Sequence, residues 1–146
     1  MADNERYVGK EIKRLANCLR RNAECSETAD VCGHMSASNS WLIMYLYDHR
    51  DEDIFQKDVE LEFSIRRSTS SNIISLMEKK GYIERVSVEQ DARLKKLVLT
   101  PKALEQCDVI SKNMLKFEKN LVKGISKDEL NNFFVTLDKI VANIKR

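Results

Sequence analysis

Apolar residues recur at helical spacing near both ends of the chain. Val8, Ile12, Leu15 and Leu19 follow one another in steps of four, three and four. This pattern predicts an amphipathic helix of about five turns. Near the other end, similar steps separate Leu130, Phe134, Leu137, Val141 and Ile144. So narrow a stripe is typical of a helix that packs along a partner helix.

Shorter helices and one hairpin are predicted between these ends. The apolar run WLIMYLY favours a buried helix from about Ala37 to His49, with Ser36 as its N-cap. The stretch FQKDVELEF predicts a short helix, and the next helix, Arg66 to Lys80, ends at Gly81. Two alternating stretches, YIERVSV and LKKLVLT, then predict strands on either side of the turn EQDAR.

Two long helices complete the chain. Thr100 is the N-cap and Pro101 the first position of a helix that reaches about Lys123, and Gly124 ends it. Its predicted apolar side consists of Leu104, Ile110, Met114, Phe117 and Leu121. The sequence SKDE, residues 126–129, is a capping box that opens the last helix.

This order of elements predicts a mostly α (α+β) fold. Two helices joined by a tight turn and followed by a hairpin form a winged helix-turn-helix with a two-stranded wing. The chain of 146 residues has the length of a single domain, 1–146, with the winged helix-turn-helix at about 36–100. The flanking helices, at about 4–30 and 101–146, are longer than so small a core requires.

The composition is that of a water-soluble globular protein. Apolar residues make up 42% and charged residues 33%, while four glycines and one proline favour helix over a loop-rich β fold. The run WLIMYLY is far shorter than the roughly 20 residues of a membrane span. The first residues are polar and do not resemble a signal peptide. We therefore expect a cytoplasmic protein without a membrane partner.

The charge is unevenly distributed, although the net charge is only +2. Residues 1–65 contain 8 Lys/Arg and 13 Asp/Glu, whereas residues 66–102 contain 9 Lys/Arg and 4 Asp/Glu. The basic excess therefore coincides with the predicted hairpin and the helix before it. Such an asymmetry indicates a polyanionic partner.

The cysteines predict neither disulfides nor a metal site. Cys18, Cys25 and Cys32 are spaced seven apart and are interpreted as small, partly buried thiols. The alternative is a thiol that responds to oxidation, since a cysteine near a cation can be a thiolate. Cys25, Cys32 and His34 match no standard zinc spacing, and no cofactor is predicted.

The helix that begins RRSTSSNIIS is basic and rich in hydroxyl groups. A recognition helix presents its N-terminal residues to the major groove, where small polar side chains can approach bases and phosphates. The candidate DNA-binding residues are Arg66, Arg67, Ser68, Thr69, Ser71, Asn72 and Ser75. The alternative is a solvated helix start rich in capping residues.

Asp91 and Arg93 are the candidates of the hairpin turn. A hairpin tip beside a groove-bound helix lies over the neighbouring minor groove, which attracts arginine where it is narrow. A nearby carboxylate that fixes the direction of the arginine would pre-organise it. The alternative is a charged turn without function.

No sequence motif of an enzyme is present. The chain lacks G-x-S-x-G, a Walker-type glycine loop, H-E-x-x-H and the dinucleotide-binding fingerprint. It contains two histidines, and none of its carboxylates are paired in an evident apolar pocket. We therefore predict a binding protein rather than a catalyst.

The central segment resembles the multiple antibiotic resistance regulator (MarR) family. The motif Asp-x-Arg at Asp91 and Arg93, followed by Leu99-Thr100 at the start of a long helix, is similar to the wing signature of that family. SLMEKKGYIER and FQKDVELEFSIRRSTSSN resemble its recognition helix and helix-turn-helix. The resemblance covers about Met35 to Ala103, and within it Ser70 replaces a residue that is usually apolar.

The resemblance implies a homodimer, held by the N- and C-terminal helices, that places two winged domains on a pseudo-palindromic operator of double-stranded DNA. It also implies a repressor released by a small phenolic or anionic effector. Arg20, Trp41 and Tyr45 are the candidates for the effector pocket, and the alternative is that Trp41 and Tyr45 are core residues. Two alternatives are a regulator of the same fold that senses oxidation, for instance at Cys18, and a winged helix that binds protein.

Overall fold

The structure, a computed structural model, describes residues 6–24 and 37–145, with side chains for 6–22 and 39–145. This part of the chain contains six helices and two strands. The helices are α1 (Val8–Glu24), α2 (Ala37–Asp48), α3 (Gln56–Glu62), α4 (Arg67–Lys79), α5 (Pro101–Leu121) and α6 (Lys127–Ile144). The strands are β1 (Ile83–Val88) and β2 (Asp91–Leu99). The predicted winged helix-turn-helix order is confirmed. Ser36, Cys25, Cys32 and His34 lie outside the described residues.

The chain divides into two compact units, Met1–Ser111 and Lys112–Arg146. In the first unit, apolar side chains from α2, α4 and β1 form a buried core. Leu42, Ile43, Ile74, Met77 and Ile83 are its largest fully buried members, together with Val59 of α3. The continuous apolar run of α2 is thus explained by burial on several sides. Trp41 is an exception, because it remains 42% exposed.

The turn between α3 and α4 is tight. Ser64 has a φ of 49°, in the left-handed region, and its N–H donates to the Leu61 carbonyl over 3.3 Å. At the start of α3, Phe55 has no side-chain oxygen to cap the helix, and its N–H donates instead to Asp58 Oδ2 over 2.8 Å. These local contacts fix the entry and exit of α3, and so the direction in which α4 begins.

The two strands form an antiparallel sheet, with Ile83 opposite Leu99 and Ser87 opposite Lys95. The N–H of Leu97 also donates to the carbonyl of Ile54 over 2.8 Å, and Phe55 forms an isolated bridge with Lys96. The segment before α3 therefore borders the base of the two-stranded wing.

Helix boundaries follow the predicted caps. Gly81, with φ at 76°, ends the turn after α4 as the sequence indicates. Thr100 Oγ1 accepts from the N–H of Ala103 over 3.3 Å and donates to the Gly81 carbonyl over 2.7 Å. One hydroxyl thus caps α5 and ties it to the turn that follows α4.

The buried side of α5 is rotated from the predicted one. Ala103, Cys107 and Ile110 are buried, whereas Leu104 and Leu121 are exposed. The prediction followed the larger side chains, but the small Ala103 is the residue that fits against the core. Of the predicted set, Ile110 is fully buried, and Met114 and Phe117 are half-buried.

The second unit contains the end of α5 and all of α6. Gly124, with φ at 81°, lies between the two helices. Ser126 Oγ accepts from the N–H of Glu129 over 3.3 Å, and Glu129 Oε2 accepts from the N–H of Ser126 over 2.8 Å, so the predicted capping box is present. No described residue of α6 is buried. No helix in the described part of the chain is long and apolar enough to cross a membrane.

Candidate nucleic-acid interface

One face of α4 is polar, exposed and free of acidic residues in its first turn. Ser68, Thr69, Asn72 and Ser75 are exposed along it, and Ser71 is half-buried at its edge. The opposite face buries Ser70, Ile74 and Met77. The structure therefore brings the predicted recognition residues together on the side of the helix that is turned away from the core.

Arg66 and Arg67 add positive charge to this face. Arg66 is the N-cap of α4 in extended conformation but makes no side-chain cap hydrogen bond. Within the described residues neither guanidinium takes part in an ion pair. Both arginines are exposed, and they lie at the positive end of the helix dipole. An incoming phosphate would meet two unneutralised cations and the free N–H groups of the first turn.

A polar cluster around the buried Ser70 lies behind this face. Gln56 Nε2 of α3 approaches Ser70 Oγ, Ser71 Oγ and Glu60 Oε1 at 3.0, 3.0 and 3.1 Å. Ser70 Oγ in turn donates to Glu60 Oε1 over 2.9 Å. Ser70, which replaces a usually apolar residue in the family that the sequence resembles, thus joins α3 to α4 through hydrogen bonds.

The far end of α4 is also held from outside the helix. Lys102 Nζ of α5 donates to the Lys80 carbonyl over 2.7 Å and lies 4.4 Å from the centroid of the Tyr82 ring. Arg85 Nε of β1 contacts Glu78 Oε2 at 2.9 Å. These contacts hold the wing and α5 against the C-terminal end of α4.

The hairpin carries Arg93 on an irregular tip. The turn itself is Glu89 and Gln90, so Asp91 already belongs to β2. Val88 pairs with Asp91 while Ser87 pairs with Lys95, so three residues of β2, 92–94, bulge out of the ladder. Asp91 Oδ1 accepts from the backbone N–H of Arg93 over 2.9 Å.

The guanidinium of Arg93 is exposed and takes part in no ion pair within the described chain. Asp91 therefore contacts the main chain of Arg93, whereas the sequence suggested a carboxylate that directs the side chain. Two other wing cations are neutralised: Arg85 by Glu78, and Lys96 by Asp53 at 2.8 Å. Arg93, at the tip, and Lys95 are the wing cations that form no ion pair within the described chain.

Sequence reasoning missed two residues of this region. Gln56 is the first residue of α3, where a polar side chain is expected to face solvent. Its contact with α4 is seen only in the folded structure. Leu76 is 42% exposed on α4, next to Ser75. On a helix that lies in a major groove, an exposed leucine can contact a thymine methyl group. Helical periodicity would assign Leu76 to the core together with Ile73, so no sequence signal identified it.

The candidate effector residues are not linked by any described contact. Arg20 Nη2 donates to Asn17 Oδ1 of the same helix over 3.4 Å. The Tyr45 ring packs on His49 at 4.5 Å and edge-on to Phe63 at 5.7 Å between centroids. Burial, followed by the carboxylates of Glu62, Asp58 and Glu52, raises the pKa of Tyr45 above its usual 10.0. The phenol therefore remains a hydrogen-bond donor at neutral pH.

Two free cysteines have different surroundings. Cys18 is half-buried on α1, and Arg21 Nη2 lies 3.9 Å from its sulfur. Cys107 is buried, and burial raises the pKa of its thiol. Among the described residues no group of His, Cys, Asp and Glu could hold a metal ion.

Comparison with known proteins places this geometry among transcription regulators. The sequence model of the MarR family matches residues 35–94. The HTH-type transcriptional regulator BilQ of Clostridioides difficile (strain CD3) is 26% identical over 108 residues, covering 74% of this chain and 72% of that protein. The transcription regulator MarR from Oenococcus oeni PSU-1 is 25% identical, with a TM-score of 0.77 over 93% of this chain and 99% of that one.

A structure solved with DNA shares the fold as well. The S. aureus MepR–DNA complex has a TM-score of 0.84 at 20% identity and covers 97% of this chain and 99% of that one. At this identity the similarity establishes the fold, and the winged helix-turn-helix architecture is accordingly confirmed.

Proposed function

The chain belongs to the MarR family of transcription regulators, and we propose that it is a homodimeric repressor that binds a pseudo-palindromic DNA operator and is released by a small effector. The relatives that it matches are transcription regulators, not enzymes. MepR, whose fold it shares, was solved on DNA.

One observation carries the DNA-binding proposal. The acid-free first turn of α4 presents Arg66 and Arg67, both exposed and without ion pairs in the described chain, beside a row of small polar side chains. Arginines in this position neutralise phosphates, whereas the hydroxyl and amide groups reach the base edges. Arg93, on the tip of the wing, would enter the adjacent minor groove.

Exposed apolar stripes support the proposed dimer. On α1, Val8, Ile12 and Leu15 are 42–56% exposed. On α6, Phe134, Val141 and Ile144 are exposed, and Leu130 and Leu137 are half-buried. Because single chains seldom leave regular apolar stripes open to water, a second copy of the chain is the occupant that we propose for both.

The proposed release is a population shift. An effector that binds better to one arrangement of the two recognition helices would draw the dimer away from half-sites spaced about 34–36 Å apart. A small phenolic or anionic molecule near Arg20, Trp41 and Tyr45 is the effector class that we propose. Salicylate is a suitable first probe, and the readout is its effect on operator affinity.

DNA binding is tested by selecting bound fragments from the genome of the source organism and measuring affinity for the enriched duplex as salt is varied. We expect log K to fall steeply with log salt, and each of Arg66→Ala and Arg67→Ala to reduce the slope by about 0.9 per lost phosphate contact. Arg14→Ala, an exposed arginine of α1, is the control and should leave the slope unchanged. No enrichment, or an affinity insensitive to salt, would instead support a protein-binding winged helix.

A thiol-switched regulator is the second candidate, because Arg21 lies beside the half-buried sulfur of Cys18. Peroxide treatment followed by mass spectrometry and DNA binding distinguishes the two mechanisms. The thiol switch predicts oxidised Cys18 and weakened binding, both prevented by Cys18→Ser. Release by a small effector alone predicts binding that peroxide does not alter.

A further inference from the structure

The polar cluster formed by Gln56, Glu60, Ser70 and Ser71 joins two helices by directional contacts. Gln56 and Glu60 belong to α3, and the two serines belong to α4. Ser70 is fully buried, yet its hydroxyl has partners: it donates to Glu60 Oε1 over 2.9 Å, and the Arg67 carbonyl is 3.1 Å away. The carboxamide nitrogen of Gln56 approaches both serine oxygens at 3.0 Å.

Such a cluster restricts rotation of α4 more tightly than an apolar contact would. Apolar packing tolerates sliding, whereas a hydrogen bond weakens steeply when its donor turns away from the acceptor. A buried hydroxyl or carboxylate that loses its partner also carries a desolvation cost. Rotating α4 about its axis would break the contacts of Ser70 and Ser71 together. The cluster therefore sets which residues of α4 point outward.

The hydrogen-bond directions also bear on the polarity of Ser71. Gln56 Nε2 has two hydrogens and lies 3.0–3.3 Å from four acceptors, Glu60 Oε1, the Arg67 carbonyl, Ser70 Oγ and Ser71 Oγ. Nε2 can only donate, so Ser71 Oγ is the acceptor when one of these hydrogens is directed to it. The hydroxyl hydrogen of Ser71 is then left for a partner outside the cluster. Ser71 lies half-buried at the edge of the exposed face, so it is presented to that face as a donor. A phosphate oxygen or a base acceptor such as guanine O6 suits a donor.

We propose that Gln56 and Glu60 are positioning residues for DNA recognition. Both contact Ser70 and so set the rotation of α4. Gln56 also contacts Ser71 and orients its hydroxyl as a donor toward the DNA. This inference rests on the proposed DNA binding. It adds two residues outside the recognition helix to those that decide sequence preference.

The test is a double-mutant cycle on the duplex that the wild-type protein selects from a random library. We expect Gln56→Met and Ser71→Ala each to weaken binding to this duplex by about tenfold, the effect of losing one good hydrogen bond. The two effects should not multiply in the double variant, because Ser71 has already lost its orientation when Gln56 is replaced. Gln56→Glu should weaken binding too, since a carboxylate accepts the Ser71 hydrogen and turns it inward.

Glu60 supplies the matched comparison. Glu60→Gln keeps an oxygen that accepts from Ser70, so its sequence preference in a repeated library selection should equal that of the wild type. Glu60→Ala removes the acceptor and should broaden the preference. Glu62→Ala, on the same helix but exposed and outside the cluster, should change neither affinity nor preference. Urea unfolding of each variant establishes that the folded protein is being compared.

The outcomes separate this inference from the proposed function. If the wild-type protein enriches no sequence, the proposed regulator function fails. If the wild-type protein enriches a sequence, two results would show that the positioning role is wrong while DNA binding stands. Either the losses of affinity caused by Gln56→Met and Ser71→Ala multiply in the double variant, or Gln56→Met causes no loss. If Gln56→Met does not fold, the comparison of Glu60→Gln with Glu60→Ala decides by itself. Equal sequence preferences of these two variants would overturn the positioning role.

Discussion

Asp91 holds the backbone of Arg93, because its Oδ1 accepts from the Arg93 N–H over 2.9 Å while the guanidinium makes no ion pair in the described chain. The carboxylate thus closes a short turn at the start of the bulge formed by residues 92–94. It fixes where the side chain of Arg93 departs from the main chain. Its charge is not needed for this, since any oxygen acceptor of the same length would serve.

Substitutions at Asp91 should therefore separate geometry from charge. Asp91→Asn keeps the acceptor oxygen, and we expect operator affinity within about 0.5 kcal/mol of wild type. Asp91→Ala loses the contact and should cost about 0.5–1.5 kcal/mol. Arg93→Ala should cost on the order of 1–3 kcal/mol. Binding isotherms at one salt concentration measure all three.

An equal loss for Asp91→Asn and Asp91→Ala would show that the charge itself matters and would contradict the backbone role. Wild-type affinity for Arg93→Ala would remove the wing from the interface. Lys127→Ala, an exposed cation of α6, is a control that should bind DNA as the wild-type protein does.

Substitutions at two apolar residues of α4 should affect two different properties, the free energy of unfolding and the base preference. Ile74 is fully buried, so Ile74→Ala should lower the free energy of unfolding by about 2–5 kcal/mol. Leu76 is exposed, so Leu76→Ala should change it by no more than about 0.5 kcal/mol. If Leu76 contacts a thymine methyl, only Leu76→Ala will alter base preference while the protein remains stable.

Urea unfolding and a library selection measure the two properties separately. A large loss of stability in Leu76→Ala would mean that this side chain is buried in the folded protein in solution. Unchanged stability in Ile74→Ala would contradict the assigned core.

Local chemistry was sufficient to predict the helix ends and the order of elements. The contacts that begin or end a helix involve residues close in sequence. Examples are Thr100 before Pro101, Gly81 after Lys80 and the capping box of Ser126. The polar, exposed face of α4 could be predicted for the same reason. Its hydroxyl-rich run lies within two turns of one helix.

Contacts between distant segments could not be predicted. Gln56 reaches Ser70 across 14 positions, and no periodicity encodes that approach. The side of α5 that is buried depends on which residue fits the core, and Ala103 fits where Leu104 does not. The contact of Asp91 with a backbone amide depends on the bulge, whose pairing shift cannot be read from alternation alone.

Phe134 of α6 should be required for the proposed dimer. It is 54% exposed within the apolar stripe of this helix, and Val135 beside it is equally exposed but outside the stripe. We expect Phe134→Asp to place an uncompensated charge in the interface and to shift the mass in sedimentation equilibrium toward the monomer. Val135→Asp is the matched control and should sediment as the wild-type protein does. If both variants or neither dissociate, the stripe does not form the interface.

The start of α6 should respond to pH through Glu129. The Ser126 N–H first, and then the Ser126 hydroxyl, lower the pKa of the Glu129 carboxyl from its usual 4.5. Because the folded-state pKa is the lower one, the capping contact stabilises α6 fully above the unfolded pKa and is lost as pH falls through the folded pKa. Carbon-13 NMR of the Glu129 carboxyl, in the folded chain and in urea, measures both values.

Ser126→Ala tests which donor dominates that shift. The alanine keeps the backbone N–H and removes the hydroxyl, so the pKa of Glu129 should rise only part of the way to its ordinary value. In Glu129→Gln, the chemical shifts of the amide groups at the start of α6 should no longer change as the pH is lowered through the acid range. A Glu129 that titrates alike in the folded chain and in urea would contradict the capping box, and complete reversal by Ser126→Ala would assign the shift to the hydroxyl instead.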